Sequence, residues 1–393
     1  MLMSFCKGGN VIKLPQLEAL ILDSLPNFTS KYQHLLNKEV MISKLKKLKI
    51  RNMEKLKEIW SSQLSNNDQV ICQLRELTVH GCDRLVNFFP NNQMSLLHHL
   101  EQLTVTDCGS IDVLFNIDLG CVGEIQESSS NLRSIKIRRL GELRDVWRVI
   151  NGVNNSNDDL PILGFQSVEY IKIEDCKRLR NVFTPTTSNF DMRALKEITI
   201  DGYDGWGENR SDNEMVESSQ QKEEINVVSN EYISEVDDDI PNVAFPSYLI
   251  HTFHSLRTLF LSKCKEAEVA FEIDSLSSRK LATTRNNQPP LLLRHLEVLQ
   301  LNGMDNMTHV WKYDWIQFLI SQQEPKSFSF HNLSIIRLTN SKRIKYLFSP
   351  LMAKFLPNLK SINIEYCGAI EEVVSNRDDE NKEMATSISS HTN

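Results

Sequence analysis

The feature that most constrains this chain is an internal repeat that runs through nearly all of its 393 residues. Eleven units fit the pattern L-x-x-L-x-L-x-x-C-x-x-L-x-x-L followed by an aromatic residue, and apolar residues recur three and five positions after every unit start. Such self-similarity predicts an array of stacked units rather than a few independent domains. The unit starts are Leu17, Leu45, Leu74, Leu100, Leu132, Val168, Leu195, Leu256, Leu296, Leu333 and Leu359.

Two further positions of the unit support the same alignment. Eight residues after the start, five units have one of the chain's eight cysteines, and fifteen residues after the start, nine units have an aromatic residue. An apolar residue precedes the aromatic one, which indicates core packing rather than a surface for stacking nucleic-acid bases. The cysteines are Cys82, Cys108, Cys176, Cys264 and Cys367, and the aromatic residues are Tyr32, Trp60, Phe89, Phe115, Trp147, Phe183, Phe271, Trp311 and Phe348.

The spacing of the apolar residues predicts the shape of each unit. The x-L-x-L segment has the two-residue period of a β-strand, and the three-residue spacing after it fits a loose helical or extended return. One unit cannot bury its own apolar face, but strands stacked in register about 4.8 Å apart bury a continuous core. We therefore predict an α/β solenoid, a curved horseshoe with a parallel sheet on the concave face and irregular or short helical returns on the convex face.

Three segments carry a resemblance to a known family: LRELTVHGCDRLVNFFP, VEYIKIEDCKRLRNVFTP and LKSINIEYCGAIEEVV. They resemble the leucine-rich repeats of plant coiled-coil nucleotide-binding leucine-rich-repeat disease-resistance proteins. The resemblance extends from about Leu14 to Asn376, and the G-x-I-P phrase of extracellular plant receptor repeats is absent from the sequence.

The resemblance implies a non-catalytic, cytoplasmic role in plant defence. A domain of this kind would recognise a pathogen effector or a guarded host protein and would hold the nucleotide-binding domain of the same or a related receptor inactive. A free-standing leucine-rich-repeat scaffold or substrate adaptor unrelated to immunity remains the alternative, because a shared fold does not decide function.

Composition sets the expected domain limits. We predict a repeat domain over residues 1–376 with an insertion at 207–245, followed by a disordered tail at 377–393. Between Glu208 and Asp239 there are eleven acidic and two basic residues, so a disordered loop is expected there. The alternative for this segment is an acidic tether that occupies a basic surface until it is displaced.

Motifs for other chemistry are missing from the sequence. It has no G-x-x-x-x-G-K-[ST] segment for nucleotide phosphates, no C-x-x-C pair, and no apolar run of 18 residues. His98 and His99 are adjacent, a spacing that does not suit two ligands of one metal ion on a helix. We therefore expect no enzymatic activity, cofactor, metal or membrane partner. Nucleic acid is not expected as a partner either, since basic bands are few and the net charge is −7.

The candidate binding surface consists of the x residues around each strand, which face away from the core. Charged residues there either keep an exposed sheet soluble or recognise an oppositely charged partner, and both interpretations stay open. Exposed apolar and aromatic residues are the better candidates for affinity. The candidates are two basic groups, Lys46, Lys47, Lys49, Arg51 and Arg133, Lys136, Arg138, Arg139, the apolar or aromatic Tyr170, Phe260, Val298, Ile335 and Tyr366, and the polar Asn363 and Glu365.

Overall fold

The predicted array of strands is present as one long parallel sheet of eleven strands, each paired in register with the next one along the chain. The computed structural model describes residues 12–25, 34–36, 40–60, 73–86, 88–89, 98–118, 130–150, 165–179, 182, 192–202, 243–245, 253, 255–264, 267–271, 293–311 and 330–375. Every strand of the long sheet begins two residues after a predicted unit start. These strands are β2 Ala19–Asp23, β5 Lys47–Arg51, β7 Glu76–His80, β8 Gln102–Thr106, β10 Ser134–Arg138, β12 Tyr170–Glu174, β13 Glu197–Asp201, β15 Thr258–Ser262, β17 Val298–Asn302, β19 Ile335–Thr339 and β21 Ser361–Glu365.

Burial along the strands follows the two-residue period. The second and fourth residues of an inner strand, such as Ile135 and Ile137 of β10, are fully buried, whereas the first, third and fifth face away from the core. Ladder hydrogen bonds between neighbouring strands satisfy the backbone groups. Because the units stack in register, their buried apolar side chains form one continuous core. The prediction of a leucine-rich-repeat solenoid with a long parallel sheet is confirmed.

Each strand of the long sheet is followed directly by a residue with left-handed backbone conformation. The eleven φ angles lie between 50° and 81°, and in ten units the N–H of this residue donates to the carbonyl of the last residue of the next strand. This bend sends the chain from the sheet into the core-lining turn. Glycine, asparagine and aspartate adopt the conformation at little cost, which explains many of the residues found there. The eleven residues are Ser24, Asn52, Gly81, Asp107, Arg139, Asp175, Gly202, Lys263, Gly303, Asn340 and Tyr366.

The recurring cysteine follows this bend directly. Its Sγ donates to the backbone carbonyl two residues earlier, as Cys108 does to Thr106 at 3.3 Å and Cys176 does to Glu174 at 3.5 Å. Ser341 makes the same hydrogen bond with its hydroxyl, to Thr339 at 3.3 Å. A small side chain that is both apolar enough for the core and able to donate once fits this position. Its recurrence therefore has a structural cause.

The aromatic residues of the returns form the far side of the core. Phe89 stacks on Phe115 with centroids 5.3 Å apart, Phe115 stacks on Trp147 at 5.8 Å, and Phe165 packs edge-on against both of the latter two rings. All the described rings of this column are buried. They are core residues, as their spacing indicated, whereas Tyr32 and Phe183 lie outside the described residues.

The returns contain more strand than we expected. Most described returns end in a short strand that pairs in parallel with the return of a neighbouring unit, which lets the aromatic rings stack in register. Within the described residues there is one helix, α1 Pro350–Lys354, capped by the Ser349 hydroxyl. The short strands are β1 Ile12–Lys13, β3 His34–Leu36, β4 Val40–Met41, β6 Glu58–Trp60, β9 Val113–Asp118, β11 Asp145–Ile150, β14 Val243–Phe245, β16 Val269–Phe271, β18 His309–Trp311, β20 Tyr346–Phe348 and β22 Glu372–Val374.

The structure differs from the expected insertion at its carboxyl end. We predicted disorder over 207–245, but its last three residues form β14, which pairs with β16. Ala244 is fully buried, and burial of apolar surface favours an ordered strand at this point. The rest of the insertion, 207–242, and the predicted tail at 377–393 lie outside the described residues.

Candidate functional site

The candidate site is the open face of the long sheet, which we define as the first, third and fifth residues of its eleven strands together with the residues that flank each strand. Because the register is parallel and unbroken, these side chains line up in columns. In β10 and β12, for example, Ser134 is opposite Tyr170, Lys136 is opposite Lys172 and Arg138 is opposite Glu174. The face is thus a regular array of side chains at fixed spacing, suited to contact with another macromolecule.

In the first basic group, on β5 and the residue before it, three of the four cations pair with two carboxylates. The Nζ atoms of Lys47 and Lys49 lie 2.6 and 3.4 Å from the Glu76 carboxylate on β7. Lys46 pairs with Glu18 at 3.0 Å. The Lys47 ammonium lowers the pKa of Glu76, and the Glu76 carboxylate raises the pKa of Lys47. Mutual repulsion of these lysines is therefore reduced inside the sheet, and Arg51 forms no ion pair among the described residues.

In the second basic group, two of the four cations form ion pairs. Arg139 makes two hydrogen bonds to the Asp107 carboxylate, at 2.5 and 2.9 Å, and Arg133 lies 3.8 Å from Glu169. Lys136 and Arg138 are exposed, and neither forms an ion pair within the described part of the chain. Lys172, next to Lys136 on β12, pairs instead with Glu174 at 2.9 Å on its own strand. Lys136 and Arg138 are therefore the cations of this group most available to a partner.

Asp107 links three neighbouring units at the ends of their strands. Besides Arg139, it contacts His80, whose Nδ1 lies 3.1 Å from the carboxylate and 2.9 Å from the Thr106 hydroxyl. The Arg139 guanidinium holds the pKa of Asp107 below its usual value. The contacts cross from β7 to β10, so they also hold the adjacent strand ends in place.

Three of the apolar candidates are brought together. Val298 on β17 is directly opposite Ile335 on β19, and Phe260 on β15 is the diagonal neighbour of Val298. Diagonal neighbours on a sheet are about 7 to 8 Å apart, within reach of an aromatic side chain. All three are half-buried. The structure thus makes one apolar patch, which we call the Phe260 patch, from residues that are far apart in the sequence.

The remaining candidates are separate from this patch. Tyr170 is exposed on β12, between Ser134 and Glu197 on the neighbouring strands. Asn363 and Glu365 lie on β21, where the Asn363 amide donates to the Glu365 carboxylate at 3.0 Å. Tyr366 follows β21 and is the most exposed large apolar or aromatic residue of the described chain.

The sequence reasoning missed polar residues that adjoin the Phe260 patch. Arg337 on β19 donates to Gln300 on β17 at 3.4 Å, and both occupy the third position of their strands. Asn302 accepts from Thr339 at 2.8 Å and from Asn340 at 2.9 Å. Their positions in the repeat unit could have identified these residues as part of the open face. They were missed because they form no cluster of charge and are not aromatic.

Possible metal ligands and thiol nucleophiles are the remaining candidates among the described residues. No three histidine, cysteine, aspartate or glutamate side chains in that part of the chain are placed to hold one metal ion. The recurring cysteines of the described units are free thiols, and burial raises the pKa of Cys176 to about 11. A thiol with a raised pKa is neutral at pH 7 and a poor nucleophile.

The fold and the open face together define a leucine-rich-repeat domain, a class that mediates protein–protein interactions and is generally non-catalytic. The family described as plant disease resistance protein RPS2-like, leucine-rich repeats, matches residues 44–203 and 233–368. These segments include more than half of the chain, and the chain belongs to this family. No match was found among curated proteins. Within the described residues, no helix has the length and apolar character needed to cross a membrane.

Proposed function

We propose that this chain is the recognition module of a cytoplasmic plant immune receptor, and that its open face binds protein partners. The partners are a pathogen effector or a guarded host protein, and the nucleotide-binding domain of the same or a related receptor. Membership of the disease-resistance family supports this proposal, since leucine-rich repeats of that class mediate protein interactions.

The observation that carries the proposal is the combination of available cations and apolar surface on one face. Lys136 and Arg138 are exposed without an ion pair among the described residues, and the Phe260 patch begins three strands further along the sheet. At the usual strand spacing, the separation of β10 and β15 is about 14 Å. A standard interface of roughly 800 Å² per partner is large enough to include both the two cations and the Phe260 patch.

The two kinds of partner would act by competition. The receptor's own nucleotide-binding domain occupies the open face in the resting state, and a ligand with higher affinity for an overlapping surface shifts the population to the released state. Acidic groups on the partner would face Lys136 and Arg138 and would speed association, whereas the apolar patch would supply affinity.

The test is charge reversal on the open face. Lys136→Glu with Arg138→Glu should weaken association with the nucleotide-binding domain of an RPS2-like receptor by at least about tenfold, or about 1.4 kcal/mol. Reversal of Lys47 and Lys49 should weaken it less, because those cations already pair with Glu76. Calorimetry with the purified domains measures each affinity.

A matched control carries the same change in net charge away from the open face. Lys57→Glu with Lys177→Glu alters two exposed lysines in the turns after β5 and β12 and should leave the affinity unchanged. Equal weakening by the control pair would point to net charge and would reject the open face as the binding surface. No association with the nucleotide-binding domain in any variant would favour a free-standing scaffold or adaptor.

A further inference from the structure

Among the described residues, the edge of the long sheet at β21 has no neighbouring strand to occupy its hydrogen-bonding groups. At each of the ten steps between neighbouring strands, the carbonyl before one strand accepts two N–H groups from the next, as Ser334 does from Lys360 at 2.8 Å and Ser361 at 3.0 Å. The equivalent groups of β21 are the carbonyl of Lys360 and the N–H of Tyr366. Among the described residues neither has such a partner, so the edge keeps a template for one more parallel strand.

The side chains at this end have the apolar pattern of a buried unit but are uncovered. Ile362 is 39% exposed, whereas its counterpart on β19, Ile336, is fully buried. On the return side, Val374 is 38% exposed where Phe348 of the preceding unit is 4% exposed. Burial of apolar area is favourable by about 25 cal/mol per Å², so this end gains stability from any strand that covers it.

Tyr366 is an aromatic residue held outward at the same edge. Its φ of 55° is a conformation that costs a bulky residue roughly 1 to 2 kcal/mol, and its side chain is 82% exposed. In the preceding unit this position is Asn340, which adopts the conformation more readily. Exposed aromatic side chains are frequent anchors of protein interfaces, because they bury a large area on binding.

Charges on the edge specify the chemistry of the occupant. The residue before each strand commonly forms an ion pair with its counterpart on a neighbouring strand, as Lys46 does with Glu18 at 3.0 Å and Arg257 does with Glu297 at 3.4 Å. Lys360 has this position before β21 and forms no ion pair within the described part of the chain. An occupant that continues the pattern therefore has an acidic residue opposite Lys360.

A second copy of this chain fits the edge poorly. If β2 of another molecule were added to β21 in the same register, Glu18 would face Lys360 favourably, but Asp23 would face Glu365. Like charges directly opposite each other destabilise a strand pair unless cations offset them, as Lys172 and Lys263 do for the opposed Glu174 and Asp201. Neither Asp23 nor Glu365 forms an ion pair among the described residues. The favoured occupant has an uncharged residue at that fifth position.

We propose that the β21 edge binds an extended segment of a partner protein, which adds a twelfth parallel strand to the long sheet. This segment has an acidic residue opposite Lys360, apolar residues opposite Ile362 and Ile364, and an uncharged residue opposite Glu365. Its apolar side chains cover Ile362, and Tyr366 packs against its carboxyl end. The interaction is strand addition at a sheet edge, with backbone hydrogen bonds for affinity and side chains for specificity. It does not depend on the function proposed for the open face.

A peptide with the sequence of residues 293–311 is a suitable probe, because it has this chemistry. It places Glu297 before a strand segment, Leu299 and Leu301 at the second and fourth positions, and Asn302 at the fifth. Fluorescence anisotropy with the labelled peptide should show saturable binding to the full chain. Ile362→Lys should weaken binding at least about tenfold, since it puts a charge under the added strand.

Tyr366→Gly separates binding from folding. Glycine relieves the left-handed conformation, so this variant should unfold at an equal or higher temperature while it binds the peptide about tenfold more weakly. Tyr170→Ser is the matched control, since it removes an exposed tyrosine from the open face and should leave peptide affinity unchanged.

A charge swap tests the parallel register. The peptide with Glu297→Lys should bind the native chain more weakly and should regain affinity for the Lys360→Glu variant. Recovery of affinity supports the parallel register, and no recovery contradicts it.

Absence of peptide binding, or equal binding by Ile362→Lys, would overturn the proposal. Binding that requires removal of residues 376–393 would identify the chain itself as the occupant, and self-association abolished by Ile362→Lys would identify a second copy. Each of these two results also rejects a partner segment.

Discussion

At the scale of single residues, the left-handed bend after each strand is occupied both by residues that adopt this conformation readily and by residues that do not. Gly81, Gly202 and Gly303 adopt positive φ readily because they lack a Cβ atom. Arg139 and Lys263 have the same conformation, and both pair with an acidic residue on a neighbouring unit. Interactions between units therefore offset part of the local cost.

We predict that Lys263→Gly stabilises the protein by up to about 1 kcal/mol. Glycine relieves the φ of 58°, and the exposed ion pair that is lost, with Asp201 at 3.1 Å, contributes little. Urea unfolding measures the change in midpoint. The control is Gly303→Ala in the next unit, where φ is 63° and a Cβ should cost about 1 kcal/mol. A destabilised Lys263→Gly variant would show that the ion pair outweighs the backbone conformation.

At the scale of strands and returns, cohesion has two sources on opposite sides of each unit. On the open face, charged residues of neighbouring strands pair, as Asp107 and Arg139 do across β8 and β10. On the return side, aromatic rings stack from one unit to the next. The first is exposed and depends on pH, whereas the second is buried and does not.

The pairing of Asp107 with Arg139 should make stability fall in acid. Because Arg139 lowers the pKa of Asp107, this contribution is complete above the unfolded value of about 3.9 and is lost as pH falls through the lower folded pKa. Asp107→Asn should cost about 0.5 to 1 kcal/mol at pH 7 and almost nothing near pH 2. Thermal unfolding across this pH range measures the difference from the native chain.

The control for this prediction is Asp305→Asn, which removes an ion pair to the highly exposed Lys342 at 3.0 Å. Exposed pairs of this kind contribute close to zero, so its effect should be small at every pH. A penalty for Asp107→Asn that persists unchanged at pH 2 would show that the carboxylate charge is not responsible.

Loss of a ring from the aromatic column should be far more costly. Trp147 is fully buried between Phe115 and Phe165, and Trp147→Ala should destabilise the chain by about 3 to 5 kcal/mol. Tyr170→Ala, on the exposed side of the next unit, should change stability by less than about 0.5 kcal/mol. Chemical denaturation of both variants tests the contrast, and similar losses for both would refute a core role for the column.

At the scale of the whole molecule, stability is distributed along one dimension. Each strand of the long sheet pairs with its immediate neighbours, so a central unit is supported from two sides, whereas β2 and β21 are each supported from one side among the described residues. In such an array, stability is approximately a sum of unit and interface contributions. The units with a single interface should open first.

Hydrogen exchange should therefore be graded along the sheet. Amides of β10 and β12 should be the most protected, and those of β21 should exchange by local opening at lower free energy. Mass spectrometry of peptides from each unit measures this gradient. If β21 is as well protected as β10 in the isolated chain, the end is already covered or the array opens as one cooperative unit.

Much of the architecture and part of the site could be predicted from the sequence. The repeat predicted every strand of the long sheet, because its two-residue period reports which side chains face the core. It also predicted that Lys136, Tyr170 and Tyr366 are exposed. The short strands of the returns were not predicted, since three-residue spacing does not distinguish a loose helix from an extended chain. The neutralisation of Lys47 by Glu76 was also missed, because it depends on which strands are neighbours.

The sequence by itself determined the class of fold, the core residues and the face left open, because each of these follows from a local period repeated along the chain. Only the tertiary structure decided which charges remain available, which apolar residues form the Phe260 patch, and that the β21 edge lacks a neighbour among the described residues. These features depend on pairing between units whose starts are 26 to 61 residues apart. A local pattern fixes how one strand is buried, but contacts between strands depend on register, which is set when the units stack.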